Sequence, residues 1–152
     1  MPKIDLASLP DDGSTTYPQQ YRHIVEGRSR KRLGRAAGLT QFGVNICTIK
    51  PGAQSSIRHW HEKEDELVFV LEGEVVVHED GGETVLKAGE AAAWKAGVEN
   101  GHTIINRTDR NAVVLEVGSR APSEWAFYSD IDMKVERGEG FARYMKKNGE
   151  PY

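Results

Sequence analysis

Between residues 42 and 117 the chain runs through short β-branched segments separated by glycines and turn-forming pairs, and this spacing constrains the fold most. The segments recur at intervals of roughly eight to twelve residues, and no stretch among them has convincing helical periodicity. The pattern predicts an all-β domain, either a sandwich or a small barrel. The segments are FGVNICTIK, ELVFVLE, EVVVHE, ETVLK, AAAW, GHTIIN and AVVLEV.

The flanks of this region differ from it in composition. At 152 residues the chain is long enough for one domain with a sizeable core. We expect an N-terminal arm over residues 1–41 that packs on the barrel, a barrel core over 42–118 and a C-terminal extension over 119–152. The extension carries several aromatic residues, which predicts that it packs on the barrel or on a second subunit. Asp80-Gly81, between two β-rich segments, predicts a hairpin turn.

A basic run, GRSRKRLGR, lies in the N-terminal arm and places five basic residues between Arg28 and Arg35. One interpretation is an anion or phosphate site. The other is a solvated arm, which is favoured because no aromatic residues interleave the charges as they do in nucleic-acid grooves.

Charge and hydropathy exclude some functions. A net charge of −3 argues against a general nucleic-acid surface. The longest apolar runs, LVFVL and AAAW, are too short to span a membrane, and the N-terminus has no signal-peptide core. A single cysteine, Cys47, permits no internal disulfide. These features predict a cytoplasmic protein that binds neither membranes nor nucleic acid.

Most of the candidate metal-binding residues lie in the segment SIRHWHEKEDELVFVLEGE, residues 56–74. His59 and His61 lie two residues apart, so in a strand both imidazoles point to one face, as a metal ion requires. A carboxylate would complete a mixed nitrogen and oxygen set. Glu66 is the best candidate because it begins the strand ELVFVLE on the face of Val68 and Val70. The preceding EKED is predicted to be a solvated turn that switches the chain between faces.

A third imidazole can come from His102 in GHTIIN. Asn106, four residues later, shares its strand face. Candidate substrate-contacting residues are Arg58, Gln54, Trp94 and Asn106, although Trp94 can equally pack in the core and Asn106 can serve only backbone groups at a strand end.

These residues resemble the two motifs of the cupin superfamily. Residues 51–74 resemble the first motif: a glycine, HxH, four residues, a glutamate, six residues and a glycine. Residues 89–106 resemble the second motif, with glycines, a histidine and an asparagine four residues after it. The second motif departs in having Lys95-Ala96-Gly97 in place of a proline before the glycine, and four residues between Gly97 and His102.

The resemblance implies a double-stranded β-helix, the jelly-roll barrel of small single-domain bacterial cupins. It also implies one divalent metal ion (zinc, manganese, iron or nickel) held by His59, His61, Glu66 and His102. Three imidazoles and one carboxylate leave two positions of an octahedral shell for water or a bidentate oxygen ligand.

The function is less constrained than the fold. The leading hypothesis is a metal-dependent enzyme that acts on a small polar metabolite, similar to cupins described as sugar phosphate isomerases. Alternatives are an iron-dependent dioxygenase and a non-catalytic cupin that binds or senses a small molecule. Cupins commonly dimerise, so we also expect a homodimer.

Overall fold

Twelve β-strands dominate the computed structural model, which describes residues 3–152. Two 3-10 helices, Leu6–Ser8 and Gln19–Val25, precede the first strand, and the short helix α1 (Leu33–Ala36) follows it. No helix in residues 3–152 has the length and apolar character needed to cross a membrane. The strands are β1 (Arg28–Lys31), β2 (Phe42–Ile49), β3 (His59–His61), β4 (Glu66–Glu72), β5 (Glu74–Glu79), β6 (Gly82–Lys87), β7 (Ala91–Trp94), β8 (Thr103–Ile105), β9 (Ala112–Ser119), β10 (Ser123–Tyr128), β11 (Lys134–Gly138) and β12 (Phe141–Met145).

The strands form three antiparallel sheets. A five-stranded sheet has the order β1-β2-β9-β4-β7, a four-stranded sheet β12-β11-β10-β3 and a three-stranded sheet β6-β5-β8. The last two are joined where His59 and His102 exchange backbone hydrogen bonds of 3.1 and 2.9 Å. The all-β jelly-roll prediction is confirmed.

Local sequence explains several of the elements. The two-residue turn Asp80-Gly81 connects β5 to β6, since Glu79 pairs with Gly82, as the hairpin prediction required. Gly73 lies between β4 and β5 at a φ of 79°, a conformation that favours glycine because a Cβ atom would be strained there. A Cβ at Gly73 would also approach the Asn111 carbonyl oxygen to 3.1 Å.

Two apolar clusters fill the interior. One lies between the five-stranded and three-stranded sheets and is built from aliphatic side chains around Val70, Val75 and Val114, with Cys47 fully buried among them. The other joins the N-terminal arm to the four-stranded sheet through Tyr17, Val25 and residues of β10 and β11. Residues on both sides of the 42–118 segment therefore pack together in the second cluster, which also contains Ile57.

The flanks are more ordered than the sequence suggested. β1 pairs with β2 along its whole length, so the basic run begins in a strand and not in a solvated arm. Arg28 is 9% exposed, and Arg30 forms an ion pair with Glu116 at 2.6 Å. The tail segment FARYM, in the C-terminal extension, is the edge strand β12.

Asn106 organises the loop between β8 and β9. Its Nδ2 donates to the carbonyl oxygens of Ile49 and Arg110 at 2.8 and 2.6 Å. Its Oδ1 accepts from the backbone N–H and the hydroxyl of Thr108. The side chain is fully buried, so it connects the end of β2 to this loop.

We predict that Asn106→Ala lowers the free energy of unfolding by about 2–3 kcal/mol, because buried backbone groups lose their partners. Urea unfolding followed by circular dichroism measures the change. Asn148→Ala is the control, since Asn148 is exposed and accepts only from Glu150 N–H. Equal stabilities of the two variants would contradict the assignment.

Candidate metal centre

One strand and the start of the next bring three predicted ligands together. His59 and His61 occupy alternate positions of β3 and point to the same buried face. Glu66 begins β4. The ligand atoms of these three side chains all lie within 4.8 Å of one another. The HxH pair and the glutamate therefore form a group that can hold a metal ion.

The contacts within the group are short. His59 Nε2 lies 3.1 Å from His61 Nε2, and His61 Nε2 lies 3.4 Å from Glu66 Oε1. His102 approaches the other carboxylate oxygen, with its Nε2 2.7 Å from Glu66 Oε2. The backbone pairing of His59 with His102 explains this approach, because it places two imidazoles side by side across the joined sheets.

The surrounding groups fix the orientation of the rings. His59 Nδ1 lies 2.8 Å from the Ile57 carbonyl oxygen, an acceptor that places the proton on Nδ1 and leaves the Nε2 lone pair directed inward. The Trp94 ring stacks on His102 with centroids 3.8 Å apart, and its Nε1 donates to Glu79 at 2.5 Å. Trp94 therefore holds His102 against Glu66.

Titration behaviour follows from burial and from the neighbouring carboxylates. Burial lowers the pKa of His59 to about 3. Burial also disfavours a charged His61, but Glu124 and Glu66 outweigh it and raise the pKa of His61 to about 9. Burial would raise the pKa of Glu66, yet contacts with His102 and His61 lower it well below its ordinary value.

The donor set fits a cation. Inward lone pairs at such distances repel one another unless a positive charge lies among them. Without a metal ion, a proton on His61 supplies that charge at neutral pH, because the pKa of His61 is raised to about 9. A divalent ion can supply it instead, since neutral imidazole and carboxylate are its usual ligands.

Of the four predicted substrate-contacting residues, only Trp94 lies at the site. Arg58 precedes His59 in the chain and points to the opposite face, where its guanidinium binds Asp130 at 2.7 Å and also contacts Asp80. Gln54 donates to the Ser56 carbonyl oxygen. Asn106 serves backbone groups, the alternative role that the sequence had left open. The structure therefore does not bring Arg58, Gln54 or Asn106 to the metal-binding group.

The EKED turn is only partly solvated. Glu62, Lys63 and Asp65 are exposed, but Glu64 is 6% exposed. Its carboxylate accepts from Ala121 N–H at 3.0 Å and lies 3.5 Å from Arg120. The expectation of a wholly solvated turn was wrong for Glu64, because the chain folds back over this turn after β9.

Sequence reasoning missed Glu124, a fully buried carboxylate on β10. It accepts hydrogen bonds from the backbone N–H groups of Glu62 and Lys63 at 2.8 and 2.9 Å. It also lies 3.4 Å from His61 Nδ1. Alternation in SEWAFY places Glu124 on one face with Ala126 and Tyr128. This pattern was the sequence feature that could have indicated a buried Glu124.

A cavity of about 400 Å³ opens beside the metal-binding group. Its wall includes residues from the N-terminal arm, the barrel core and the C-terminal extension. Eight charged residues line it: five arginines, Arg28, Arg30, Arg32, Arg120 and Arg137, together with Glu64, Glu66 and Glu116. The arrangement suits a small polar ligand that reaches a metal ion from a cationic surface.

Comparison with known proteins supports this description. The cupin domain model (Cupin_2) matches residues 45–118. A crystal structure of a sugar phosphate isomerase from the cupin superfamily of Silicibacter pomeroyi is 45% identical, with a TM-score of 0.96, and covers 99% of this chain and 96% of that chain.

Two further similar proteins bear other names. A beta-D-galactosidase from Mycobacterium tuberculosis is 37% identical over 83 residues, which cover 54% of this chain and 68% of that protein. The polyketide cyclase RemF from Streptomyces resistomycificus is 20% identical with a TM-score of 0.64, covering 78% of this chain and 79% of that chain, and shares the fold alone. Matching motifs, sheet topology and a nearly full-length relative together show that the chain belongs to the cupin superfamily.

Proposed function

We propose that this protein is a metal-dependent enzyme that isomerises a sugar phosphate. The observation that carries the proposal is the opening of the His59-His61-Glu66 group into a small cavity rich in arginine. Similarity adds support, because the Silicibacter pomeroyi relative that matches nearly the whole chain is named a sugar phosphate isomerase.

The proposed ligands are His59, His61, Glu66 and His102. His102 is included because its Nε2 faces the same carboxylate as His61. Three nitrogens and one oxygen suit zinc, manganese, iron or nickel. A bound ion would act as a Lewis acid that polarises a carbonyl and lowers the pKa of a neighbouring hydroxyl.

Isomerisation also requires a group that moves a proton between adjacent carbons. Glu64 is the proposed base, since it lines the cavity and its Oε2 has only the 3.5 Å contact with Arg120. Glu116 is less suitable, because Arg30 engages both of its oxygens. The Glu64 carboxylate would take a proton from the hydroxyl-bearing carbon beside the carbonyl and return it to the carbonyl carbon, while the hydroxyl proton passes to the carbonyl oxygen.

We predict that the protein, purified without chelator or affinity metal, carries about one divalent ion per chain, and that His59→Ala with His61→Ala abolishes its retention because two ligands are lost. Elemental analysis by plasma mass spectrometry measures the content. His78→Ala is the control, since His78 pairs only with Glu83 at the surface. Absence of metal from the wild type would overturn the proposal.

We further predict that the metal-loaded protein interconverts aldose and ketose phosphates, observed by NMR of a substrate panel. Glu64→Gln should lower kcat by about 10²-fold or more, as expected for a lost general base, with metal content unchanged. Glu62→Gln is the matched control, because Glu62 is exposed.

Other outcomes of the same experiments would favour the alternatives. Bound metal without turnover across the panel would indicate a binding or sensor protein. Bound iron with oxygen consumption would indicate a dioxygenase. Either result would overturn the isomerase assignment.

A homodimer is also proposed, formed through the outer face of the five-stranded sheet. Ile46, Leu115 and Phe69 form a cross-strand row on this face, opposite the buried side chains of the same strands. Leu67 and Leu71 on β4 are 39% and 41% exposed. Apolar residues on both faces of a sheet are typical of sheets covered on both sides.

We predict a dimeric mass for the wild type in light scattering at micromolar concentration. Leu115→Arg should yield monomers, because it places a charge at the centre of the row. Val85→Arg, an exposed position on β6, should remain dimeric. A monomeric wild type would contradict the proposal.

A further inference from the structure

Arg137 lies beside the metal-binding group. On β11 it pairs directly with Glu124 of β10, and directly paired residues of antiparallel strands project to the same face. Glu124 is buried next to His61, so Arg137 also projects inward. Its side chain lines the cavity together with His59 and His61.

Most cations of the cavity already have a partner. Arg30 pairs with Glu116 at 2.6 Å, Arg32 with Asp12 at 2.7 Å and Arg120 with Glu64 at 3.5 Å. Arg28 donates to the Ser55 carbonyl oxygen. Within residues 3–152, no carboxylate lies within the 4.0 Å ion-pair distance of Arg137.

The surroundings of Arg137 do not neutralise it. The phenols of Tyr17 and Tyr144 line the same cavity as Arg137, and they are uncharged at neutral pH. Arg137 is partly buried, and a partly buried cation without a counterion is costly to maintain. A guanidinium in this position matches the geometry of an oxyanion, which it can bind through two parallel hydrogen bonds.

We propose that Arg137 binds the phosphate group of the substrate while the sugar carbonyl and hydroxyl reach the metal ion. The identity of the anion as a phosphate rests on the proposed function. Arg137 lies in the C-terminal extension, outside the residues 45–118 that match the cupin domain. The barrel core thus supplies the metal site, and the extension supplies the selection for a phosphorylated substrate.

The test is calorimetric titration of the metal-loaded protein with inorganic phosphate. Arg137→Met should weaken binding at least about tenfold, the effect expected for loss of a charge-assisted hydrogen-bonded pair. Arg137→Lys should be intermediate, because it keeps the charge and loses the planar fork. Arg143→Met is the control, since Arg143 is exposed on β12 and pairs with Glu136. Unchanged phosphate affinity in Arg137→Met would overturn the proposal.

Two further titrations distinguish Arg137 from the metal ion as the binding site, and phosphate from a carboxylate as the ligand. Phosphate binding should persist in the His59→Ala, His61→Ala variant. If phosphate binding is lost in that variant but retained in Arg137→Met, the phosphate binds to the metal ion and not to Arg137. Acetate should compete weakly with phosphate. Arg137-dependent binding of acetate but not of phosphate would overturn the phosphate assignment in favour of a carboxylate.

Kinetics separate this inference from the proposed function. With an active isomerase, Arg137→Met should raise KM for the sugar phosphate at least about tenfold and leave the metal content unchanged. If no sugar phosphate is turned over but Arg137→Met still weakens phosphate binding, the anion site stands and the isomerase assignment fails. Turnover with an unchanged KM in the variant would refute the anion site alone.

Discussion

The backbone pairing of His59 with His102 is the interaction on which the candidate site depends. Two hydrogen bonds join the four-stranded and three-stranded sheets at this position and set two imidazoles against one carboxylate. Pairing of Glu66 with Trp94 across β4 and β7 then places the indole over His102. The same contacts that close the barrel therefore also orient the candidate metal ligands.

Residues outside the matched cupin domain complete the site. The Glu124 carboxylate holds the turn after β3 and faces His61, while the N-terminal arm and β1 contribute arginines to the cavity wall. Similar proteins bear the names of a sugar phosphate isomerase, a galactosidase and a polyketide cyclase, and the isomerase and the cyclase share the barrel. A shared barrel with different names suggests that activity depends on residues around the metal site and not on the fold.

The sequence predicted those features that depend on local period or on motif spacing. Period-two alternation places His59 and His61 on one face, and the same rule places Arg58 on the other, where the structure has it. Alternation in the basic run puts Arg28 and Arg30 on a common face, but nothing local says that this face is inward. Burial of Glu64 arises from Ala121, 57 residues later, and such a long-range contact leaves no local signal.

The most direct test of the account is anomalous X-ray diffraction from crystals of the protein purified without added metal. We expect a single anomalous peak between His59, His61 and Glu66, with ligand distances of about 2.0–2.2 Å and the His102 Nε2 within the same shell. No peak at this position, or a peak elsewhere in the molecule, would contradict the central claim that these side chains form a metal site.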